Sequence, residues 1–278
     1  MILSHFQTTP MLAARERGDS QILASDDLGV STKSARVSDD GVRFADGAFL
    51  PWNLAEEISA NPSACFLVCD NAADPVRIYS EEFGRSYALM PTESAPALTI
   101  SGVLMHRVQG ISPLDAAAAM VAAIAPLRGR VLDTATGLGY TAIEAAKTAD
   151  RVVTIELDPV VQEIARSNPW SRALFDNPKI EMRTGDSFEI IDQFADGTFS
   201  RIIHDPPVFG LSGELYSGLF YRKAMRVLAP RGRMFHYIGD PKSKSGARVT
   251  KGVVQRLKEA GFTRVEPAPG LFGVAGYL

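Results

Sequence analysis

The sequence predicts an α/β protein with a mostly parallel sheet covered by helices on both faces, preceded by a smaller β-rich region. Three observations carry this. Between Gly129 and Asp158 an apolar run (Val131, Leu132) ends at Asp133, a turn holding Gly137 and Gly139 follows, an Ala-rich helical segment (Ala142 to Ala146) comes next, and a second apolar run (Val152 to Ile155) closes on Glu156. That is a strand-turn-helix-strand unit. Beyond it, apolar runs keep alternating with helical patterns, which is the signature of parallel strands joined by crossover helices. Residues 1–98 read differently, as short alternating runs separated by turn-forming residues.

In chain order, His5 falls in an N-terminus expected to be mobile. Short strands are expected at Arg36 to Val37, Val42 to Phe44, Ala64 to Val68, Val76 to Tyr79 and Arg85 to Leu89, broken by Asp39-Asp40-Gly41, Asp46-Gly47 and Asn71 to Pro75. One helical patch lies near Leu54 to Ser59. Pro91 to Pro96 reads as a linker, and Leu98 to Val108 as a hairpin carrying Met105, His106 and Arg107. Ser112-Pro113 opens a helix to about Ala125, with serine as N-cap and proline in the first turn. After the central unit come a helix over Pro159 to Ser167, a break at Asn168 to Ser171, strands over Lys179 to Arg183 and Arg201 to Ile203, and a helix over Ser217 to Leu228. A turn at Pro230 to Gly232, a strand over Arg233 to Ile238, a helix over Val253 to Ala260 and final strands complete the chain. Lys242, Lys244, Arg248 and Lys251 sit in a stretch read as a solvated loop, with an anion-binding lid as the alternative.

Ligands of open α/β sheets bind outside the carboxyl ends of the strands, so Asp133, the Gly137/Gly139 turn and Glu156, 23 residues after Asp133, are the first site candidates. A dinucleotide-binding turn is disfavoured, because Ala142 stands where a third glycine belongs. An unrelated α/β domain with a tight turn remains the bland alternative. The segment Asp133-Thr134-Ala135-Thr136-Gly137-Leu138-Gly139 resembles motif I of the class I S-adenosylmethionine (SAM) methyltransferase fold, and Thr154 to Pro159 resembles the strand that holds the SAM ribose. The resemblance implies a Rossmann-like class I SAM-binding domain over 99–278, with 1–98 as a small β-rich lid domain. It places Asp133, Thr134, Ala135, Gly137 and Gly139 in the binding turn, Glu156 and Leu157 at the ribose, and Asp186, Ser187 and Phe188 at the adenine. SAM is then a substrate, and no metal is implied.

His204-Asp205-Pro206-Pro207-Val208-Phe209 follows the fourth strand of this domain. It resembles the Asn/Asp-Pro-Pro-aromatic motif of amino-methylating enzymes, except that Val208 stands in the aromatic place and Phe209 comes one residue late. Together with Gly213-Glu214-Leu215-Tyr216-Ser217 and Phe220-Tyr221 it resembles the aminopropyltransferases, such as spermidine synthase, which release methylthioadenosine. The full chain, with its Met105-His106-Arg107 and His204 to Pro207 segments, resembles a group of predicted archaeal-type methyltransferases with relatives among azetidine-2-carboxylate synthases. On that basis the favoured function is attack on the aminocarboxypropyl arm of SAM, most concretely cyclisation to azetidine-2-carboxylate. Methyl transfer to a small molecule is the alternative, and a SAM-binding regulatory module without turnover is a third. Asp205 would orient the amine, with a turn-capping acid as its bland reading, and Arg107 would fork the carboxylate of SAM. His204 is read as a general base or as a satisfied buried polar group. Tyr140, Phe209 and Tyr216 are read as faces for the sulfonium or as core packing.

Composition narrows the partners. Hydrophobic residues make up 46% and charged residues 22% of 278 residues, with a net charge of -3, so no basic field exists to collect nucleic acid. Cys65 and Cys69 are too few for a structural metal site and read as buried thiols of a reducing compartment. A charged N-terminal segment and the lack of a membrane-length apolar run predict a cytoplasmic protein acting on a small molecule, without membrane or nucleic acid, and compatible with a homodimer.

Overall fold

The computed structural model describes residues 1–243 and 246–278, so Lys244 lies outside the described residues. The chain forms two compact units: Met1–Pro113 with Val160–Arg172, and Leu114–Pro159 with Ala173–Leu278.

The first unit comprises β1 (Ile2–Leu3), α1 (His5–Arg17), β2 (Gln21–Ala24), β3 (Lys33–Val37), β4 (Gly41–Phe44), β5 (Phe49–Pro51), α2 (Trp52–Ser59), β6 (Phe66–Cys69), β7 (Ala72–Pro75), β8 (Arg77–Ser80), β9 (Arg85–Met90), β10 (Ala97–Ile100) and β11 (Val103–Leu104). These strands form three antiparallel sheets, ordered β1-β6-β7, β2-β3-β4-β5 and β11-β10-β9-β8. Leu3, Met11, Val42, Phe44, Leu50, Ile58 and Phe66 share one core, which joins both helices to the first two sheets. Because β10 pairs with β9 from Ala97↔Met90 to Ile100↔Tyr87, the segment Pro91 to Pro96 is a connection within a sheet. The first stretch of this unit therefore runs to Pro113 rather than ending at residue 98.

Two expectations need correction in this unit. The N-terminus is a 13-residue helix, not a loose segment: Ser4 Oγ accepts from Phe6 N (3.3 Å) while Gln7 Oε1 accepts from Ser4 N (3.0 Å), a reciprocal capping box. Gly18, left-handed at φ 73°, ends the helix by donating to Ala14 and Arg15 carbonyls. Cys65 is buried as expected, but Cys69 is exposed, because it ends β6 on the face opposite Phe66 and Val68.

In the second unit, α3 (Pro113–Ala122) precedes β12 (Arg130–Asp133), α4 (Tyr140–Ala146) and β13 (Arg151–Glu156). Next comes α5 (Pro159–Ser167), which, apart from Pro159, groups with the first unit, where Trp170 just beyond it donates its indole N–H to the Leu28 carbonyl at 3.0 Å. The second unit resumes with α6 (Arg172–Asp176), β14 (Ile180–Thr184), α7 (Ser187–Ile190), β15 (Phe199–His204), α8 (Gly218–Val227), β16 (Leu228–Tyr237), α9 (Gly246–Ala260), β17 (Arg264–Ala268) and β18 (Gly273–Tyr277). One seven-stranded sheet orders them β14-β13-β12-β15-β16-β18-β17, parallel across the first five and antiparallel at β18 and β17. The strand order reverses at β12, between β13 and β15, and open α/β sheets bind ligands outside the carboxyl ends of the strands at such a switch point.

Where a turn was expected at Pro230 to Gly232, β16 runs on as a bulged strand. Its register against β15 jumps from Phe199↔Leu228 to Arg201↔Arg233, with Arg231 at φ 63° absorbing the extra residues. The basic stretch after it is also not all loop, since α9 starts at Gly246 and carries Arg248 and Lys251. β18 lies flat between two aromatic neighbours: a Cβ at Gly273 would meet Phe235 at 2.3 Å, and one at Gly276 would meet Phe262 at 2.8 Å. Among the described residues no helix is long and apolar enough to cross a membrane.

The capping box yields a first test. Ser4→Ala removes one of its two bonds, so the variant should lose about 1 kcal/mol of stability in denaturant titration. An unchanged midpoint would show that the cap does not hold α1.

Candidate active site

The candidate site is built from the carboxyl ends of β12, β13, β14 and β15. Asp133 ends β12 fully buried, and its Oδ2 accepts from Thr141 Oγ1 (3.1 Å) and Thr154 Oγ1 (3.0 Å). Its Oδ1 is buried without a closed hydrogen bond. Burial pushes the Asp133 carboxyl up to about 7; the two threonine hydroxyls and the Ala135 amide oppose this, and the Glu156 charge adds to it. The turn beyond it folds back through Thr136 N to the Ile155 carbonyl (2.9 Å) and Gly139 N to the Thr136 carbonyl (2.7 Å). Gly139 is left-handed at φ 78°, and a Cβ there would stand 2.7 Å from Leu174, so both space and conformation demand glycine.

Glu156, half-buried at the end of β13, turns its carboxylate onto the turn: Oε2 accepts from Gly137 N (2.8 Å) and Oε1 from Asp158 N (3.3 Å). Burial raises it to about 7 against those backbone donors. Leu157 beside it is exposed. After β14, Asp186 caps α7 by accepting from Phe188 N (2.8 Å), and Ser187 Oγ donates to the Thr134 carbonyl (2.5 Å). Phe188 lies under the ammonium of Lys223, 4.0 Å from its ring centroid. The three adenine candidates are thus tied to the β12 turn through Ser187 and Thr134.

Asp205 follows β15 at the switch point. Half-buried and with no hydrogen bond to its carboxylate among the described residues, it is raised to about 7, first by burial and then by the charge of Asp133. The loop after it is pinned at one carbonyl, Pro207 O, which accepts from Ser212 Oγ (2.7 Å) and Tyr216 Oη (3.2 Å). Phe209 is 55% exposed and meets Tyr216 edge-on at 5.4 Å. Tyr216 is itself buried, with its phenol pushed well above the usual range by burial and by Asp205, so it holds the loop instead of presenting a face. Tyr140 is buried as the first residue of α4.

His204 is completely buried, and burial lowers it to about 3, so it is neutral at physiological pH. Its Nε2–H donates to the Leu215 carbonyl (2.9 Å), which leaves Nδ1 to accept from Thr134 Oγ1 (2.6 Å). His236, paired with it across the strands, donates Nδ1–H to the His204 carbonyl (3.3 Å) and accepts at Nε2 from Tyr221 Oη (3.0 Å). Arg107, from the carboxylate-fork expectation, lies half-buried after β11 in the first unit.

The sequence reading assigned no role to Thr141 and Thr154, the two donors to Asp133, or to Arg256, whose Nε donates to the Tyr216 carbonyl (2.9 Å), and although it singled out His236 and the Phe220-Tyr221 pair it did not pair His236 with Tyr221. One signal was available, since Thr154 is the polar interruption of the run Val152-Val153-Thr154-Ile155. Among the described residues no group of His, Cys, Asp or Glu is arranged to hold a metal ion.

The raised carboxyls set a pH dependence. Asp133, Glu156 and Asp205 titrate near 7 when folded but near the ordinary value of about 4 when unfolded, so the folded state binds more protons between those limits. Stability is therefore highest below about pH 4 to 5 as far as these groups are concerned, and declines as pH rises through about 7. The melting temperature of the ligand-free protein should fall between pH 5 and 8, and Asp133→Asn should flatten that fall; a rise over the same range would contradict the raised values.

No family model matches the chain. It is 36% identical over 263 residues, covering 91% of its own length and 89% of the relative's, to uncharacterized protein MJ1233 of Methanocaldococcus jannaschii. Polyamine aminopropyltransferase 2 of Streptomyces coelicolor is 31% identical over 144 residues, 49% of this chain and 26% of that protein, so the match spans about a quarter of the aminopropyltransferase. Among solved structures, a spermidine synthase in complex with the transition-state analogue AdoDATO superposes with a TM-score of 0.61 over 74% of this chain and 76% of its own, at 18% identity. That likeness shows the fold, an α/β architecture with a mostly parallel central sheet like that of the spermidine synthase. On this fold, and by identity along nearly its whole length, the chain belongs to the family of Methanocaldococcus jannaschii protein MJ1233.

Proposed function

We propose that this protein is an enzyme that consumes SAM by attack of an amine on the propyl arm of the sulfonium, releasing methylthioadenosine. In its most specific form the amine is that of SAM itself, and ring closure gives azetidine-2-carboxylate. The observation that carries the reading is Asp205. It is a carboxyl at the switch point with no hydrogen bond to it among the described residues, half-ionised near neutral pH and therefore able to take a proton there. The amine lone pair forms the C–N bond at the carbon next to sulfur. The C–S bond breaks with its electron pair moving to sulfur, which leaves as a neutral thioether, and the ammonium proton passes to Asp205. Phe209, exposed beside this carboxyl's loop, offers a ring face to the cation, worth about 0.5–2 kcal/mol. The Asp133, Gly137 and Glu156 groups would hold the amino-acid and ribose portions, and the buried acceptor Oδ1 of Asp133 suits a donor from the ligand. The aminopropyltransferase and spermidine synthase likenesses support transfer from the propyl arm.

Methyl transfer to a small-molecule amine is the second reading, favoured by the general use of this fold and served by the same base. Incubation with SAM alone separates the two. The expected products are methylthioadenosine and a cyclic four-carbon amino acid, seen by mass spectrometry above a no-enzyme control. Stable SAM, with S-adenosylhomocysteine forming only after a metabolite extract is added, would establish methyl transfer instead.

Two variants assign the roles. Asp205→Asn should cut kcat by about 10²- to 10⁴-fold with SAM affinity retained, and the wild-type rate should rise with pH through about 7 as Asp205 ionises. Unchanged turnover would remove Asp205 from the chemistry. Glu156→Ala should weaken SAM binding by calorimetry, and equal affinity would undo the ribose assignment.

A further inference from the structure

The proposed chemistry leaves unused the fully buried imidazole next to Asp205, that of His204. A neutral imidazole has one N–H and one lone pair, and here both are spent in opposite directions. Nδ1 takes the Thr134 hydroxyl at 2.6 Å, and Nε2–H reaches the Leu215 carbonyl at 2.9 Å. Neither nitrogen is left to take a proton from a substrate.

The two ends of this link belong to two separate segments of the site. Thr134 sits in the turn after β12, where its N–H donates to the Ile203 carbonyl (3.0 Å) and its carbonyl accepts from Ser187 Oγ (2.5 Å). Leu215 sits in the single 3₁₀ turn Gly213–Tyr216 that closes the loop after Asp205. That turn is otherwise held through Tyr216, whose hydroxyl donates to Pro207 O and whose carbonyl accepts from Arg256 Nε, the latter on α9. The ring cannot swing away, because it stacks on Phe220 at 4.7 Å and 24° and lies 4.4 Å from the His236 ring. The His236 Nδ1–H also fixes the backbone carbonyl that leads into Asp205.

We propose that His204 is a positioning residue that couples ligand capture at the turn after β12 to the setting of the loop from Asp205 to Tyr216. This rests on the SAM-binding reading above. Filling the turn holds Thr134 still, Thr134 holds the imidazole, and the imidazole holds Leu215, so the loop that carries the base is set when SAM is in place.

Hydrogen exchange with S-adenosylhomocysteine as the probe tests the coupling without turnover. In the wild type, the ligand should slow amide exchange both at 135–139 and at 213–216. His204→Phe keeps the stacked ring but breaks both bonds, and Thr134→Val breaks the first bond from its other end. In either folded variant, protection at 135–139 should persist while the gain at 213–216 falls by about fivefold to tenfold, the scale of a single hydrogen bond. If both variants retain the wild-type gain at 213–216, the coupling is wrong. If the wild type shows no protection at 135–139, the SAM reading fails, and the coupling fails with it. Turnover gives a further check. His204→Phe should lower kcat while leaving the midpoint of the pH-rate profile near 7, because Asp205 titrates there; a profile that loses its pH dependence would make His204 the base and overturn the positioning role.

Discussion

The site depends on keeping one carboxyl dry. Asp133 ends the first parallel strand with no solvent access, and what makes this tolerable is a pair of threonine hydroxyls aimed at a single oxygen, one from the first helical turn and one from the neighbouring strand. Thr154 also bonds Thr136, so the same hydroxyl that satisfies the acid fixes the turn above it. Burial raises the Asp205 carboxyl to about 7, and the charge of Asp133 adds to that rise from a distance. Two adjacent parallel strands thus end in acids that cannot both ionise freely, and the cost of their burial appears as carboxyls that titrate near neutrality.

Around this pair the structure uses neutral polar groups, not ion pairs. His204, His236, Tyr216 and Tyr221 are all buried, and each spends its donors and acceptors on backbone carbonyls or on one another. Burial lowers both histidines and raises both phenols, so none of the four changes charge over the physiological range. Titration near neutrality is left to the carboxyls at the strand ends, Asp133, Glu156 and Asp205, while the cluster supplies rigidity.

Much of the second unit was legible in the sequence, because its strands are near-continuous apolar runs and its helices alternate with them. Val131 to Asp133, Val152 to Glu156 and Arg201 to His204 fall where those runs place them. The turn after β12 was legible for the same reason, since glycines at 137 and 139 fall between a strand and a helix. What escaped lies in local chemistry. The helix over His5–Arg17 has scattered apolar residues and an internal Pro10, so periodicity does not find it, although Ser4 and Gln7 spell a capping box. The bulge at Arg231 looked like a chain reversal because Pro230 and Gly232 are turn residues in either setting. The partners of Asp133 and His204 are brought together from elements 8 to 70 residues apart, and no spacing rule foretells such pairs.

The flat strand β18 has a consequence for how the chain is made. It carries glycines where Phe235 and Phe262 press from either side, and it lies between β16 and β17 although it follows both in sequence. During synthesis β17 is complete before its neighbour exists, and the inner edge of β16 stays unpaired until the final strand slots between them. Unpaired strand edges of this kind are templates for mispairing with other chains. Pairing of β16 and β17 with their shared neighbour thus waits on the segment made last of the three, and a side chain at Gly273 or Gly276 would collide with the aromatic rings beside it.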